Sequence, residues 1–320
     1  SVPRVDLYSK VTGDAIYGYD ARAKGVLYGA AVHRPTIGTK MRSARPGEAA
    51  SMPGVVKVVI EDGFAGVVAE SRLQAWAARD ALDVEWDEGH LWQQEELEAL
   101  VTVGGRGGVS IQREGNASAI LEQGKFITAE YQSGMATHAP IEPQAALAII
   151  GPDGGKVWTS TQFEMGNRRE VAAALDLEPE QVEVLPIYLG GAFGRKIELK
   201  GVPSPAVEAA RLSRAVGAPV HVGWSRPEEM RDGFVRPPTH HRLHATLDGR
   251  GRVEAIMHEQ ASGDDLFGAF PKPVTKILGF DFGSTRGAQI PYAIPHRETV
   301  AWRRPIPIPT GAWRGLGLMA

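Results

Sequence analysis

The sequence predicts an α+β (mixed α/β) fold, and three features carry that expectation. Short β-branched or aromatic runs such as 26–32 (VLYGAAV) and 55–60 (VVKVVI) have the look of strands. Between them, Leu73, Trp76, Ala77 and Ala81 recur at helical spacing, which gives one packed helix face. The 38 glycines and 22 prolines supply many turns between short elements.

The elements follow in order. After the helix over 73–81, Val84-Glu85-Trp86 alternates as a strand, and Gly66–Glu70 is an apolar run leading into that helix. Glu95, Glu96 and Glu98 mark a solvated helix start. Residues 101–124 are polar, with glycines at 104–108, and predict a linker between a first domain over 1–100 and a second over 125–320. In the second domain, 127–132, 145–150, 157–160 and 181–187 are expected strands, with 167–175 a short helix. Ser204-Pro205 opens a further helix, because Ser caps well and Pro is tolerated at the first position; Gly217 marks its end. Residues 220–224 form the next strand, and Asp248-Gly249-Arg250-Gly251 turns a hairpin between 241–247 and 252–260.

Composition narrows the function. A net charge of −3 over 320 residues gives no basic surplus for nucleic acid or an anionic membrane. No run of 18 apolar residues occurs, so no membrane span is expected. Cysteine is absent, which removes disulfides, thiolate nucleophiles and Cys-held zinc or iron–sulfur clusters from this chain. His240, His241 and His244 lack the Glu of a His-Glu-x-x-His site; on a strand, His240 and His244 share one face and His241 takes the other. His138 and Glu142 are four apart, but Pro140 and Pro143 oppose a helix, so they are expected to form a buried turn.

The segment with most chemical content is Leu189-Gly190-Gly191-Ala192-Phe193-Gly194-Arg195-Lys196, which follows an expected strand. Glycines allow positive φ and close approach, so consecutive N–H groups can cradle an anion. It fits neither the P-loop order nor Gly-x-Gly-x-x-Gly. On chemistry alone an ordinary turn and an anion loop both stand.

This segment resembles the glycine loop of the xanthine oxidase and aldehyde oxidase family of molybdenum hydroxylases. Several others resemble that family in the same order: 10–17 (KVTGDAIY), 52–56 (MPGVV), 67–70 (VVAE), 138–143 (HAPIEP), 160–162 (STQ) and 312–315 (AWRG). The Gly-Arg-Lys ending of the loop, 224–230 (WSRPEEM) and 310–314 (TGAWR) are most similar to the isoquinoline 1-oxidoreductase large-subunit branch. The resemblance implies a hammerhead-like domain followed by the first part of a molybdopterin-binding domain. It implies that Gln162 hydrogen-bonds a ligand of the metal, that Gly191, Ala192, Phe193 and Gly194 lie against the pterin, and that Arg314 lies near the cofactor.

The implied reaction is hydroxylation of an aldehyde or N-heteroaromatic carbon, with water as oxygen source, at a molybdopterin-bound Mo whose pterin could carry a cytosine dinucleotide. Iron–sulfur clusters would sit on a small partner subunit, with a cytochrome as one candidate electron acceptor. The implied location is the periplasm or cell envelope, with the cytoplasm as the alternative. Three positions depart from the pattern. Ala192 replaces a third glycine. Ile197 stands where xanthine-oxidising members carry a substrate-orienting Glu, with Glu198 one residue later. Leu316 stands where many members have a stacking Phe. These point away from xanthine. The family's catalytic Glu lies in a Gly-x-Gly-Glu segment that does not occur here and is expected beyond Ala320. Two other classes of function remain open at this point: a cofactor-free scaffold that keeps the fold, and a nucleotide- or phosphate-binding enzyme using the loop.

Overall fold

Helix, strand and turn alternate in a mixed α/β arrangement in the computed structural model, which describes residues 2–123, 125–197, 199, 201–270, 275 and 279–318. The chain divides into two units, each assembled from two separate stretches: Ser1–Leu91 with Ala139–Gly233, and Trp92–His138 with Phe234–Ala320.

The first stretch carries α1 (Leu7–Thr12), β1 (Leu27–Ala31), β2 (Met41–Arg45), β3 (Val55–Glu61), β4 (Phe64–Ala69), α2 (Arg72–Asp80) and β5 (Asp83–Trp86). Ser71 caps α2 by accepting the Gln74 N–H, and Ala75 and Ala78 bury its inner face. The run at 66–69, an approach to the helix by its pattern and an interior strand by the resemblance, lies within strand β4, paired on both sides. The second stretch adds α3 (Gln94–Ala99), β6 (Val109–Glu114), α4 (Ala117–Gln123) and β7 (Ile127–Ser133). Residues 101–124, expected to be a linker, thus include a strand and a helix. The third carries β8 (Ala145–Gly151), β9 (Gly154–Thr159), α5 (Glu164–Ala174), β10 (Val182–Pro186), α6 (Pro205–Val216), β11 (Val220–Gly223) and α7 (Arg226–Arg231). The fourth adds β12 (Thr239–Leu247), β13 (Val253–Ser262) and β14 (His296–Arg303).

In the first unit the strands form a seven-stranded sheet in the order β10-β9-β8-β11-β1-β4-β3. Helix α6 begins at Pro205 and stops where Gly217 takes φ 65°, as its sequence predicts. Ala206, Ala209, Ala210 and Leu212 of α6 are fully buried. The helix lies close enough to the sheet that a Cβ on Gly29 of β1 would sit 2.5 Å from Leu212 Cδ1. Glycine at 29 is therefore a packing requirement.

The second unit is a five-stranded sheet, β6-β14-β13-β12-β7, in which only β13 and β14 run parallel. Val101, Val103, Ala261 and Trp302 form its apolar cluster. The β12–β13 hairpin turns at 248–251, as expected. His240 and His241 point to opposite faces of β12. His258 Nδ1–H donates to the Ala288 carbonyl at 2.8 Å, so its Nε2 accepts from His241 Nδ1–H at 2.9 Å. His241 Nε2 then accepts from the Thr239 hydroxyl at 2.9 Å. Burial holds His241 down at about 4 and lowers His258 as well, so this relay is neutral.

Candidate functional site

The glycine loop leaves the first unit's sheet just past β10. Gly190 lies against Glu142: its N–H donates to Glu142 Oε2 at 2.9 Å and its carbonyl accepts the Glu142 N–H at 3.0 Å. A Cβ at 190 would stand 2.4 Å from Glu142 Cβ, so only glycine permits this approach. Gly191 and Gly194 take φ 102° and 104°, and Phe193 takes φ 58° with its ring partly exposed. Ala192 is buried and has no positive φ. The alanine in place of a third glycine is therefore accommodated without backbone strain.

The loop's two basic residues are committed to the interior. Lys196, with a fully buried side chain, reaches Glu142 Oε2 at 2.7 Å; Arg195 pairs with Glu229 at 3.0 Å. Burial alone would raise the Glu142 carboxyl, but Lys196 and the Gly190 and Tyr19 N–H groups hold it below its ordinary value. Burial draws the Lys196 ammonium down, opposed by Glu142. Burial also wins over Arg195 at Glu229, whose carboxyl is raised. Both cations are already neutralised and face inward. The nucleotide or phosphate reading thus loses the lysine it would need.

Gln162 is exposed and tied to this loop at two points. Its N–H donates to the Lys196 carbonyl at 2.8 Å, and its Oε1 accepts the Gly194 N–H at 3.0 Å. A backbone N–H can only donate, so the amide orientation is settled, and Nε2 is left as the outward group. Among the described residues Nε2 has no partner, and neither do the N–H groups of Gly191 and Ala192. Beneath it, Thr161 accepts from the Phe163 N–H and from Asn167 Nδ2, at 2.9 and 2.7 Å, fixing the strand end from which Gln162 projects. The result is a set of donors suited to an acceptor-rich ligand such as the oxygen- and sulfur-bearing molybdopterin group. Position 197 is Ile197, half-buried; Glu198 lies outside the described residues.

Arg314 belongs to the second unit. Trp313 Nε1 donates to the Thr137 carbonyl at 3.1 Å, and the Arg314 guanidinium lies 4.9 Å from the Trp313 ring centroid. Arg314 and Leu316 take φ 45° and 47°, left-handed values that ordinary side chains rarely adopt. His138, almost wholly buried, donates from Nε2 to the Ala312 carbonyl at 2.7 Å and holds the start of this turn. The structure thus joins Gln162 to the loop, and it describes Arg314 within a separate unit. The role of Glu142 as the loop's counterion was not legible: its spacing from His138 drew attention to the wrong partner.

The chain matches the molybdopterin cofactor-binding domain family over residues 105–317. It belongs to that family, the molybdopterin-binding large subunits of xanthine oxidase and aldehyde oxidase type. It is 28% identical to the isoquinoline 1-oxidoreductase subunit beta of Brevundimonas diminuta, over 99% of this chain and 42% of that protein. It is 36% identical to the aldehyde oxidoreductase molybdenum-binding subunit of Escherichia coli K12, over 43% of this chain and 18% of that protein. Among solved structures, the aldehyde oxidoreductase of Desulfovibrio gigas shares the fold with a TM-score of 0.76 at 21% identity, over 98% of this chain and 39% of that one. Quinoline 2-oxidoreductase from Pseudomonas putida 86 gives 0.72 at 22% identity, over 99% and 46%. The chain therefore spans less than half the length of these relatives.

Proposed function

We propose that this chain forms one wall of the molybdopterin site of a hydroxylase acting on an aldehyde or N-heteroaromatic carbon. The carrying observation is the Gln162 amide, whose Oε1 is taken by the Gly194 N–H so that its Nε2 donor, like the Gly191 and Ala192 N–H groups of the same loop, has no partner among the described residues. When bound, the molybdenum–pterin group supplies the two-electron oxidation and the transfer of oxygen derived from water. Gln162 offers a neutral donor that adds no charge to that group. Gly191 and Ala192 offer backbone donors that need no reorganisation, because the loop is already held by Glu142 and Lys196. Gly194 acts by orienting Gln162, and Phe193 contributes an apolar edge.

In this reading residues 1–100 are the hammerhead-like domain and 125–320 the first molybdopterin-binding region, with 101–124 between them. The iron–sulfur clusters are taken, from the resemblance, to sit on a small partner subunit; this sequence, without cysteine, offers them no thiolate ligand. A cytochrome acceptor and a place in the periplasm or cell envelope complete the proposal, and the pterin is taken to carry the cytosine dinucleotide. Elemental analysis of the purified full-length complex is the test: molybdenum near one per large subunit is expected, falling several-fold in Gln162→Ala with the fold intact by circular dichroism. A parent complex free of molybdenum overturns the reading.

A further inference from the structure

The first unit holds a cavity of about 670 Å³, a size that suits a small organic ligand. None of its described lining residues belongs to the glycine loop, and Gln162 is not among them. Helix α6 presents its first turn to the cavity through the N-cap Ser204 and through Val207 and Glu208. His33 Nε2–H donates to Glu208 Oε1 at 2.8 Å, which pins the chain just past β1, with Arg34, against that turn. Lys40 and the apolar surfaces of Met41, Phe64 and Trp86 belong to the same wall.

Several donors on this wall are buried and unserved. Ser204 is 6% exposed and stands at the N-cap, yet its hydroxyl caps nothing, and Oγ has no hydrogen-bond partner among the described residues. The Ala206 and Val207 N–H groups behind it have none there either. Arg34 makes no ion pair there, and its Nε and Nη2 are buried without an acceptor. Asp232 is the carboxylate whose field Arg34 feels, but both its oxygens are taken by His33 and Arg231. Burying a guanidinium and a hydroxyl unserved is costly, and the N-terminus of a helix favours negative charge.

The charges on the lining narrow the ligand. Glu208 is satisfied by His33 and by Trp224 Nε1–H at 2.9 Å, and Arg211 faces Glu61 at 3.3 Å. Arg34 and Lys40 remain against Glu170, so two unpaired cations meet one unpaired carboxylate among the described residues. We propose that this cavity binds a monocarboxylate with a planar apolar body. Its carboxylate sits between Arg34 and the Ser204 end of α6, and its body lies against Phe64, Met41 and Trp86. A guanidinium takes a carboxylate through two parallel hydrogen bonds, and the Ser204 hydroxyl and the helix N–H groups supply further donors. One surplus cation matches one negative charge. A phosphate carries more, and sets the excess against Glu170.

The test is calorimetric titration of the full-length large subunit within its complex. Benzoate is the probe, with benzamide and inorganic phosphate as its uncharged and more highly charged counterparts. One benzoate per chain is expected, with benzamide and phosphate at least about tenfold weaker, as the loss of a charge-assisted contact implies. Arg34→Gln should weaken benzoate by a similar factor. Lys40→Gln, an exposed change that puts no folding at risk, should weaken it several-fold. Ser204→Ala should do the same with an unchanged melting temperature, because the hydroxyl has no cap bond to lose. These two variants decide the matter if Arg34→Gln does not fold. Failure of the full-length subunit to bind benzoate, the result if a further segment of the polypeptide fills the cavity, overturns the proposal. Equal binding of benzamide or phosphate overturns it too, as does an affinity unmoved by these substitutions. Loss of binding in Gln162→Ala also overturns it, by placing the probe at the cofactor site. Molybdenum content is a separate measurement, so each of these failures leaves the cofactor reading untouched.

Discussion

Lys196 meets Glu142 at 2.7 Å beneath the glycine loop, and the same carboxylate oxygen takes the Gly190 N–H at 2.9 Å. One buried ion pair thereby fixes both ends of the segment that would face a cofactor.

Removing one member of this pair strands the other. Lys196→Met should cost about 3–5 kcal/mol, the usual penalty for an uncompensated buried charge, whereas the double replacement Lys196→Met with Glu142→Leu should recover much of it. Urea unfolding of the four variants gives the coupling. The pH dependence has a definite sign. Glu142 is held below its unfolded value, so its contribution is present above about pH 4.3 and is lost as pH falls through the lower folded value. Equal acid sensitivity in parent and Lys196→Met would contradict this.

Ala192 and Gly194 should respond oppositely to exchange. Ala192 lacks a positive φ, so Ala192→Gly should lose roughly 0.5–1 kcal/mol by loosening the unfolded chain. Gly194→Ala forces a side chain into φ 104° and should cost about 1–3 kcal/mol, with misorientation of Gln162. Thermal unfolding reads both, and a stabilising Ala192→Gly would show that the alanine is strained after all.

His33 lies between Glu208 at 2.8 Å and Asp232 at 3.1 Å in the first unit. Burial opposes its charge, but the two carboxylates prevail and raise it to about 10. The imidazolium therefore stabilises the fold fully below about pH 6.5, and this is lost as pH rises through about 10. The parent minus His33→Gln difference in melting temperature should shrink steadily between pH 7 and 10. A difference that stays constant across that range would mean the ring is neutral throughout.

Most elements with a strong local signal were readable. Helix α6 carried its own start and stop, and β1, β3 and β8 carried runs of small or branched apolar residues. Strand β14 (His296–Arg303) was missed because His, Arg, Glu and Thr interrupt its apolar residues; its identity as a strand comes from pairing with β13 and β6. At the proposed site, Gln162 and the glycines were singled out through ordered motifs. Arg195 and Lys196 were visible as charges, but whether they face a ligand or two buried glutamates is a property of packing that the linear order does not hold.

The alternating origin of the two units has a consequence for synthesis. Among the described residues, strand β6 pairs only with β14, about 180 residues further along the chain. At roughly 5–20 residues per second the ribosome delivers that partner some 10–35 s later. Through that interval β6 is a nascent strand with unfilled edges, and β7 waits about 110 residues for β12, while the first unit can already close around Gly233. The period of greatest exposure to misassociation thus falls while the residues between β6 and β14 are being made, which makes slow elongation after residue 140 a hazard for this chain and early chaperone capture of residues 92–138 a safeguard.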